Sequence, residues 1–321
     1  MKFRIILLFA IAVCVFGCSK EDGDDLDALG VAVNEKFISK ILPETEGTWL
    51  ITRTIENKNC DYCSSVDFID GITYFTDEKA VSKDGIGYFL DSETRNGSLL
   101  VLSSSEVMSY STSLEKKVIK AAGKNETFKL MDKDENGNLW LLTNNAVTNL
   151  EGNKISFPNS IVPIDFEVTG NNSFWIASAD TVYHVEKSGI QRFSLTEIGG
   201  ARNSTSTIYS LKADKNDSVW INISDKVFKY GDKCWKDIAV NTYVADNLKT
   251  IPFMDIDLSG KVWLAEKHYQ AFTNLHYFDG TDWKSYKLNP SLENWITDIE
   301  TMESGTVWVG TTKGLKKITL D

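Results

Sequence analysis

Four aromatic or imidazole side chains near the C-terminus have the types that stack on sugar rings or grip peptides. His268, Tyr269 and Phe272 lie within residues 266–274 (EKHYQAFTN), and Trp295 follows them. Flat aromatic faces bind apolar ligand surfaces, and an imidazole adds a hydrogen bond. These residues are predicted to bind a ligand. For Trp295, packing against a neighbouring loop is an open alternative, because apolar side chains usually find cover.

Five polar residues in short or glycine-containing loops are predicted to assist this binding, because loops on a rigid scaffold often carry function. They are Asn145, Asp180, Asp225, Thr312 and, within the 193–206 loop, Arg202.

Residues 132–137 (DKDENG) match the first half of an EF-hand calcium loop, with oxygen donors at alternate positions. The twelfth position is Thr143 where a bidentate glutamate is needed, and Asp255 and Asp257 form a similar pattern elsewhere. Turn formation by Asp and Asn side chains explains both segments. We therefore expect no metal site and no cofactor.

Cys60 and Cys63 are close enough in sequence for a local disulfide, which is the favoured interpretation in an oxidising compartment. A redox motif would need a βαβ context, and a zinc site would need a second pair of ligands.

A sevenfold repeat indicates which elements hold these residues. Segments such as NGNLWLLTN and SGTVWVGTT share a polar turn, an apolar strand and a large residue at a fixed position, at intervals of 35 to 51 residues. The fixed positions are Trp49, Leu100, Trp140, Trp175, Trp220, Trp263 and Trp308. This spacing is that of a four-stranded propeller blade, so the sequence predicts an all-β, seven-bladed β-propeller.

Each repeat is interpreted as four strands, A to D, with A nearest the axis and the repeated tryptophan on B. The B–C and D–A connections then lie on one face, which also carries the predicted ligand contacts. Glycine-containing C–D turns are predicted at several places, including Asp70-Gly71. His184 and His276 are predicted to share one solvated position on strand C.

The last repeat ends where strand D is expected, which would leave an open edge. We expect the apolar segment 29–33 (LGVAV) to supply that outer strand and close the ring. The alternative is that this segment belongs to an unstructured tether.

The first 17 residues, with Lys2, Arg4 and an apolar run, are typical of a secretory signal peptide. Cys18 follows at once, and VFGC resembles the lipobox of bacterial lipoproteins, which implies acylation of Cys18. The predicted domains are therefore a signal peptide (1–17), an acidic tether (18–28) and the propeller (29–321). The tether resembles the surface-export signal of Bacteroidetes lipoproteins, and a plain spacer is the alternative.

The chain has 45 acidic and 34 basic residues and a net charge of −11. This balance argues against nucleic-acid binding, which needs a basic surface.

The repeats at 304–318 (SGTVWVGTTKGLKKI) and 137–145 (NGNLWLLTN) are similar to the regulator-propeller repeats in periplasmic sensor regions of Bacteroidetes hybrid two-component systems. No kinase or DNA-binding segment follows in this sequence. The resemblance therefore implies a propeller with ligand binding, and not signalling by this chain.

The sequence favours an outer-membrane lipoprotein, facing the cell surface or the periplasm, that recognises a glycan, a peptide or a surface protein without catalysis. Two alternatives stay open. Streptogramin lyases also have seven similar blades, with a metal and a general-base histidine, and by that resemblance His268 would serve a metal-assisted lyase or hydrolase. The chain could also be a structural subunit of a surface complex.

Overall fold

Short segments of alternating apolar and polar residues, separated by turns rich in Asp, Asn and Gly, form seven antiparallel sheets. The computed structural model describes residues 37–56, 67–76, 79–157, 161–170, 173–199, 207–224, 226–238, 249–268, 274–287, 296–301, 306–312 and 314–319. In these residues six sheets have four strands and the seventh has three.

The strands of each blade follow one another in the chain. Blade 1 contains β1 (Phe37–Glu44), β2 (Gly47–Glu56), β3 (Asp67–Phe75) and β4 (Ala80–Gly87), and blade 2 contains β5 (Asp91–Arg95), β6 (Ser98–Leu102), β7 (Glu106–Tyr110) and β8 (Lys116–Ala121). Blade 3 contains β9 (Phe128–Lys133), β10 (Leu139–Thr143), β11 (Ala146–Asn149) and β12 (Lys154–Ser156). Blade 4 contains β13 (Pro163–Thr169), β14 (Ser173–Ser178), β15 (Thr181–Glu186) and β16 (Gly189–Ser194), followed by one helical turn, α1 (Leu195–Ile198). Blade 5 contains β17 (Ile208–Ala213), β18 (Val219–Ile223), β19 (Lys226–Gly231) and β20 (Cys234–Ile238). Blade 6 contains β21 (Lys249–Ile256), β22 (Val262–His268), β23 (Asn274–Phe278) and β24 (Trp283–Lys287), and blade 7 contains β25 (Ile296–Thr301), β26 (Thr306–Thr311) and β27 (Gly314–Thr319).

The seven blades form a closed ring, which confirms the predicted seven-bladed propeller. The first strand of each blade contacts the first strand of the next, and β25 of blade 7 contacts β1 of blade 1. The first strands are therefore the inner ones, as expected for strand A.

One hydrophobic cluster fills each of the seven junctions between neighbouring blades. The repeated large residue of strand B is buried in every blade, and Trp49 and Trp263 are fully inaccessible. In each case it packs against the following blade; Trp263 of blade 6, for example, packs with Ile299 of blade 7. The tryptophan repeat therefore holds the ring together, as the sequence predicts.

The Asp-rich segments that resemble calcium loops are A–B turns. Asp134 accepts hydrogen bonds from the main-chain N–H groups of Asn136 (2.9 Å) and Asn138 (2.8 Å) and from Nε1 of Trp140 (3.3 Å). Asp214 and Asp257 bind the tryptophan indoles of blades 5 and 6 in the same way. The carboxylate therefore closes the turn and orients the packed indole.

One predicted turn is wrong. Gly71 lies inside β3, opposite Thr52 on β2. A Cβ atom there would come within 2.8 Å of the Thr52 hydroxyl and 2.7 Å of the Asp84 carboxylate. The glycine is needed because other atoms approach closely, and the chain does not turn there.

The predicted closing strand at 29–33, the tether and the signal peptide lie outside the described residues. Within the described ranges, no helix is long and apolar enough to cross a membrane.

Replacing Trp263 with alanine is expected to lower the free energy of unfolding by about 3–5 kcal/mol, because it leaves a cavity at the junction of blades 6 and 7. Urea unfolding measures the change. Leu258→Ala is the control in the same blade, because Leu258 is 62% exposed; equal losses in the two variants would contradict the packing role.

Candidate functional site

The B–C turns and D–A connections meet on one face of the ring, which we call the loop face. The Phe157 N–H, after β12, donates to the Asn145 carbonyl (2.9 Å), and the Leu195 N–H, after β16, donates to the Asp180 carbonyl (3.2 Å). The Ser224 N–H in the B–C turn of blade 5 donates to the carbonyl of Thr207, just before β17. These bonds confirm the predicted arrangement of the loops.

The B–C turns of blades 2, 3, 4 and 7 share a local construction. A hydroxyl at the end of strand B donates to the carbonyl three residues later, as Thr143 does to Ala146 and Ser178 to Thr181. Asn145 and Asp180 are the third residues of such turns, and both are exposed. Thr312 is the half-buried second residue of its turn, after Thr311, so it is not equivalent to the other two.

The remaining predicted contacts are not tested. His268 is described through its backbone, which ends β22 opposite Lys249. The others lie outside the described residues: Tyr269, Phe272, Trp295, Asp225 and Arg202. The cysteines Cys18, Cys60 and Cys63 also lie outside them.

An exposed apolar rim on the loop face was not identified from the sequence. It consists of Tyr88 and Leu90 before β5, and of Val162 and Ile164 at the start of β13. Their exposed fractions are 52%, 37%, 80% and 39%. Tyr88 and Leu90 precede Asp91 by three residues and by one residue. Val162 and Ile164 precede Asp165 by the same intervals, so the two pairs occupy equivalent positions in blades 2 and 4. Comparing the starts of the inner strands across the repeats would have found them.

Tyr88 of the rim is held by a buried ion pair. The Arg53 guanidinium lies 5.1 Å from the centre of the Tyr88 ring and binds the Asp70 carboxylate at 2.7 Å. Asp70 is fully buried and also accepts the Phe89 N–H at 2.8 Å. The rim is therefore partly fixed before any ligand binds.

Below the rim, side chains of the inner strands, most of them charged, form two levels near the axis. The second level consists of the strand A residues that pair with the repeated large residues of strand B. The first level consists of the residues two positions earlier on each strand A, nearer the loop face. The first level contains Lys40, Asp91, Leu130, Asp165, Ser210, Phe253 and Asp298, and the second contains Leu42, Glu93, Asp132, Glu167, Lys212, Asp255 and Glu300. We call the space that they enclose the axial channel.

Most of these carboxylates accept a main-chain N–H from the next blade. Asp132 of blade 3 accepts from Val168 of blade 4 at 2.6 Å, and Asp298 of blade 7 accepts from Ile41 of blade 1 at 2.7 Å. The same kind of bond joins Asp91 to Met131, Asp165 to Leu211, Glu167 to Ala213 and Asp255 to Thr301. Between blades 1 and 2, Lys40 instead donates to Asp91 at 2.8 Å.

Burial at the axis shifts the pKa values of several of these side chains. Burial, together with neighbouring carboxylates, raises the pKa of Glu167 to about 7. Burial also raises the pKa of Asp298 to about 7, while the Ile41 N–H and Lys40 partly oppose the rise. The Glu167 carboxylate, with Asp255 and Asp165, holds the pKa of Lys212 well above its usual value despite burial.

The expectation for the strand C histidines is wrong. His184 pairs with Trp175 and stacks on its indole at 4.1 Å. His276 pairs with Leu264, one position away from the equivalent place, and is only 4% exposed. Each bonds a serine hydroxyl, so neither lies on an open solvated face.

No protein-family model and no curated protein matches the chain. Among solved structures, the extracellular domain of the hybrid two-component system protein BT4673 from B. thetaiotaomicron is similar, with a TM-score of 0.63 and 15% identity over 91% of this chain and 39% of that one. This chain therefore spans about two fifths of the length of that extracellular domain.

Two further structures are similar over almost their whole length. A streptogramin B lyase has a TM-score of 0.63 and 10% identity over 90% of this chain and 94% of its own. YCF48 bound to the D1 peptide has a TM-score of 0.63 and 11% identity, with 90% and 93% covered. At these identities the comparisons establish the propeller fold.

The free energy of unfolding is expected to fall as the pH rises from about 4 to about 8. Asp298 and Glu167 have higher pKa values in the folded state than in the unfolded state, so the folded state binds more protons in this window. The stability that they contribute is complete below the unfolded-state pKa and is lost as the pH passes 7.

Asp298→Asn tests this expectation, because asparagine keeps an oxygen for the Ile41 N–H but does not ionise. Urea unfolding at several pH values should show that the free energy of unfolding falls less steeply with pH in this variant than in the unchanged chain. At pH 8 the variant should be more stable by on the order of 1–3 kcal/mol. Asp237→Asn, on the outer strand of blade 5, is the control, because the Asp237 side chain is 51% exposed. If Asp298→Asn left the pH dependence of the unfolding free energy unchanged, the raised pKa of Asp298 would be contradicted.

Proposed function

We propose that this chain is a non-catalytic ligand-recognition module that is anchored to the outer membrane through acylated Cys18. In this proposal the loop face binds a glycan, a peptide or a surface protein. His268, Tyr269, Phe272 and Trp295 would contribute stacking contacts, with polar contacts from the neighbouring loops.

The apolar rim is the observation that carries the proposal. The two exposed apolar pairs of the rim lie at equivalent places on blades 2 and 4, and exposed apolar side chains of this kind are candidate contacts for a partner. Val162 is the most exposed large apolar side chain among the described residues, and Tyr88 occupies the equivalent position of blade 2. Trp295 precedes Asp298 by three residues, as Tyr88 precedes Asp91 and Val162 precedes Asp165. The same sequence spacing thus recurs before the inner strand of blade 7.

The comparisons support binding at a propeller of this kind. YCF48 was solved with a bound peptide, and the B. thetaiotaomicron domain is extracellular. A lyase has the same fold, so turnover must be measured together with binding. In the part of the chain that the structure describes, no three His, Cys, Asp or Glu side chains are grouped to hold a metal ion.

The double variant Tyr88→Ser, Val162→Ser is expected to weaken ligand binding by about 10- to 100-fold, because two apolar contacts are lost. Ligands are first selected for the mature chain, with Cys18 replaced by serine, from a glycan array and a displayed peptide library. Titration calorimetry then measures their affinities.

The matched control is Tyr286→Ser, Val118→Ser. It removes the same residue types, which are 39% and 45% exposed, from the outer strands of blades 6 and 2. Equal weakening in both double variants, or none in the rim variant, would exclude the rim. Product formation that His268→Ala and a chelator both abolish would favour the enzyme instead.

The anchor has its own test. Cys18→Ser is expected to move the protein from the membrane fraction to the soluble fraction, because acylation requires the cysteine thiol. Fractionation and palmitate labelling of cells measure this, and Cys234→Ser is the control. Membrane association that persists in Cys18→Ser cells would contradict the lipid anchor.

A further inference from the structure

The outer edge of β27 in blade 7 has no partner strand among the described residues. In each of the other six blades the third strand pairs with an outer fourth strand. β27 belongs to the core as those third strands do, because its Leu315 and Ile318 are both buried. An unpaired strand edge presents a row of main-chain N–H and C=O groups that can bind a further strand. The edge of β27 is therefore a docking surface for an extended segment.

The junction between blades 7 and 1 indicates what kind of segment fits this edge. After blades 3, 4 and 5, a fourth-strand apolar side chain enters the junction with the next blade. In each case its partner is the third-strand residue that corresponds to Leu315: Ile155 pairs with Val147, Phe193 with Val182 and Ile238 with Val227. Leu315 lies in the junction of blades 7 and 1, where no fourth-strand residue of blade 7 is described. The segment should thus place an apolar side chain opposite Leu315.

Residues 29–33 (LGVAV) have the required pattern. Leu29, Val31 and Val33 alternate with a glycine and an alanine. Because side chains alternate along a strand, an extended 29–33 segment has one apolar face and one face of small residues. The apolar face suits the junction of blades 7 and 1.

The distance along the chain also fits. Residues 34–36 separate this segment from β1, just as residues 88–90 separate β4 from β5. β1 begins at Phe37, which pairs with Arg53, and Arg53 holds Tyr88 of the apolar rim. β1 also contacts β27 directly. The segment therefore ends at the loop face, beside the edge that it would cover.

The same comparison selects the register. The fourth-strand residue at this position precedes the first-level residue of the next blade by eight residues in blade 1, from Lys83 to Asp91, and by 10 in blade 3, from Ile155 to Asp165. Val31 precedes the first-level Lys40 by nine residues. Val31 is therefore the residue that fits opposite Leu315.

We propose that residues 29–33 form the fourth strand of blade 7, with Val31 opposite Leu315, and that the tether of residues 18–28 leaves the ring on the face opposite the loop face. Fourth strands run towards the loop face, because the D–A connections lie there. Leu29 is then at the far end of the strand, and the chain before it continues away from the loop face.

This exit point sets the direction in which the ring faces. With Cys18 in the membrane, the tether holds the loop face away from the lipid surface. The apolar rim is then presented to a partner that approaches from outside the membrane, and not to the lipid itself. This second part rests on the proposed lipid anchor, whereas the pairing of residues 29–33 with β27 does not.

A pair of leucines three residues apart tests the strand. Leu29→Ser is expected to lower the midpoint of thermal unfolding of the mature chain by about 3–6 °C, because a buried apolar side chain is lost. Leu26→Ser, within the tether, is the matched control and should leave the midpoint unchanged. Equal midpoints in the two variants would overturn the pairing.

Disulfide trapping tests the register in a chain whose Cys60, Cys63 and Cys234 are replaced by serine. Leu29 lies opposite the exposed Lys317 in this register, so Leu29→Cys with Lys317→Cys should form a cross-link that peptide mapping detects. Leu29→Cys with Lys117→Cys is the control, because Lys117 is exposed on the outer strand of blade 2. Absence of the first cross-link, or equal yields of both, would overturn the proposal.

The orientation is tested on vesicles, in the same serine background. A histidine tag in place of Cys18 attaches the chain to nickel-chelating lipid, so the result does not depend on acylation in cells. A fluorophore is placed at Asn145→Cys on the loop face or at Glu151→Cys on the exposed C–D turn of the same blade. Energy transfer to a dye in the membrane should be stronger from Glu151→Cys.

Equal transfer from the two positions, or stronger transfer from Asn145→Cys, would overturn the orientation. Failure of the lipid anchor itself is recognised separately, by fractionation of Cys18→Ser cells.

Discussion

The free edge of the inner strands is the constraint on which this ring depends. Each inner strand pairs with a neighbour on one side only, so a row of main-chain N–H groups faces the axis. Inner-strand carboxylates accept those N–H groups from the following blade, as Asp132 does from Val168 and Asp298 from Ile41. One charged hydrogen bond thus satisfies an exposed edge and also joins two blades. Tryptophan packing holds the blades together further from the axis.

This solution concentrates negative charge where solvent is scarce. Burial, together with neighbouring carboxylates, raises the pKa values of Glu167 and Asp298 to about 7. Lysines offset part of the charge, and blade 5 contributes Lys212 and Ser210 where blade 4 has carboxylates. The axial channel is therefore both the join between the blades and the place where their buried charged groups gather.

The loop face has a different character, because its residues are not required by the ring. The B–C turns of blades 2, 3, 4 and 7 are closed by their own hydroxyl groups, as with Thr143 and Ser178, so the ring does not depend on their third residues. Tyr88 and Val162 lie where the chain enters an inner strand, and they are exposed although such residues usually find cover. These exposed side chains form the apolar rim on which the proposed recognition depends.

The amino-acid sequence by itself determined the number of blades, the buried tryptophan positions and the face on which the loops meet. These follow from local signals: alternation along strands, turn residues and a repeat that can be counted. Tertiary structure alone decided the roles of the axial groups. Asp298 meets Ile41 although 257 residues separate them, and Pro43 of blade 1 has no N–H group to donate to Glu300 of blade 7. Gly71 and His276 were misread for the same reason, since their surroundings come from neighbouring strands and not from adjacent residues.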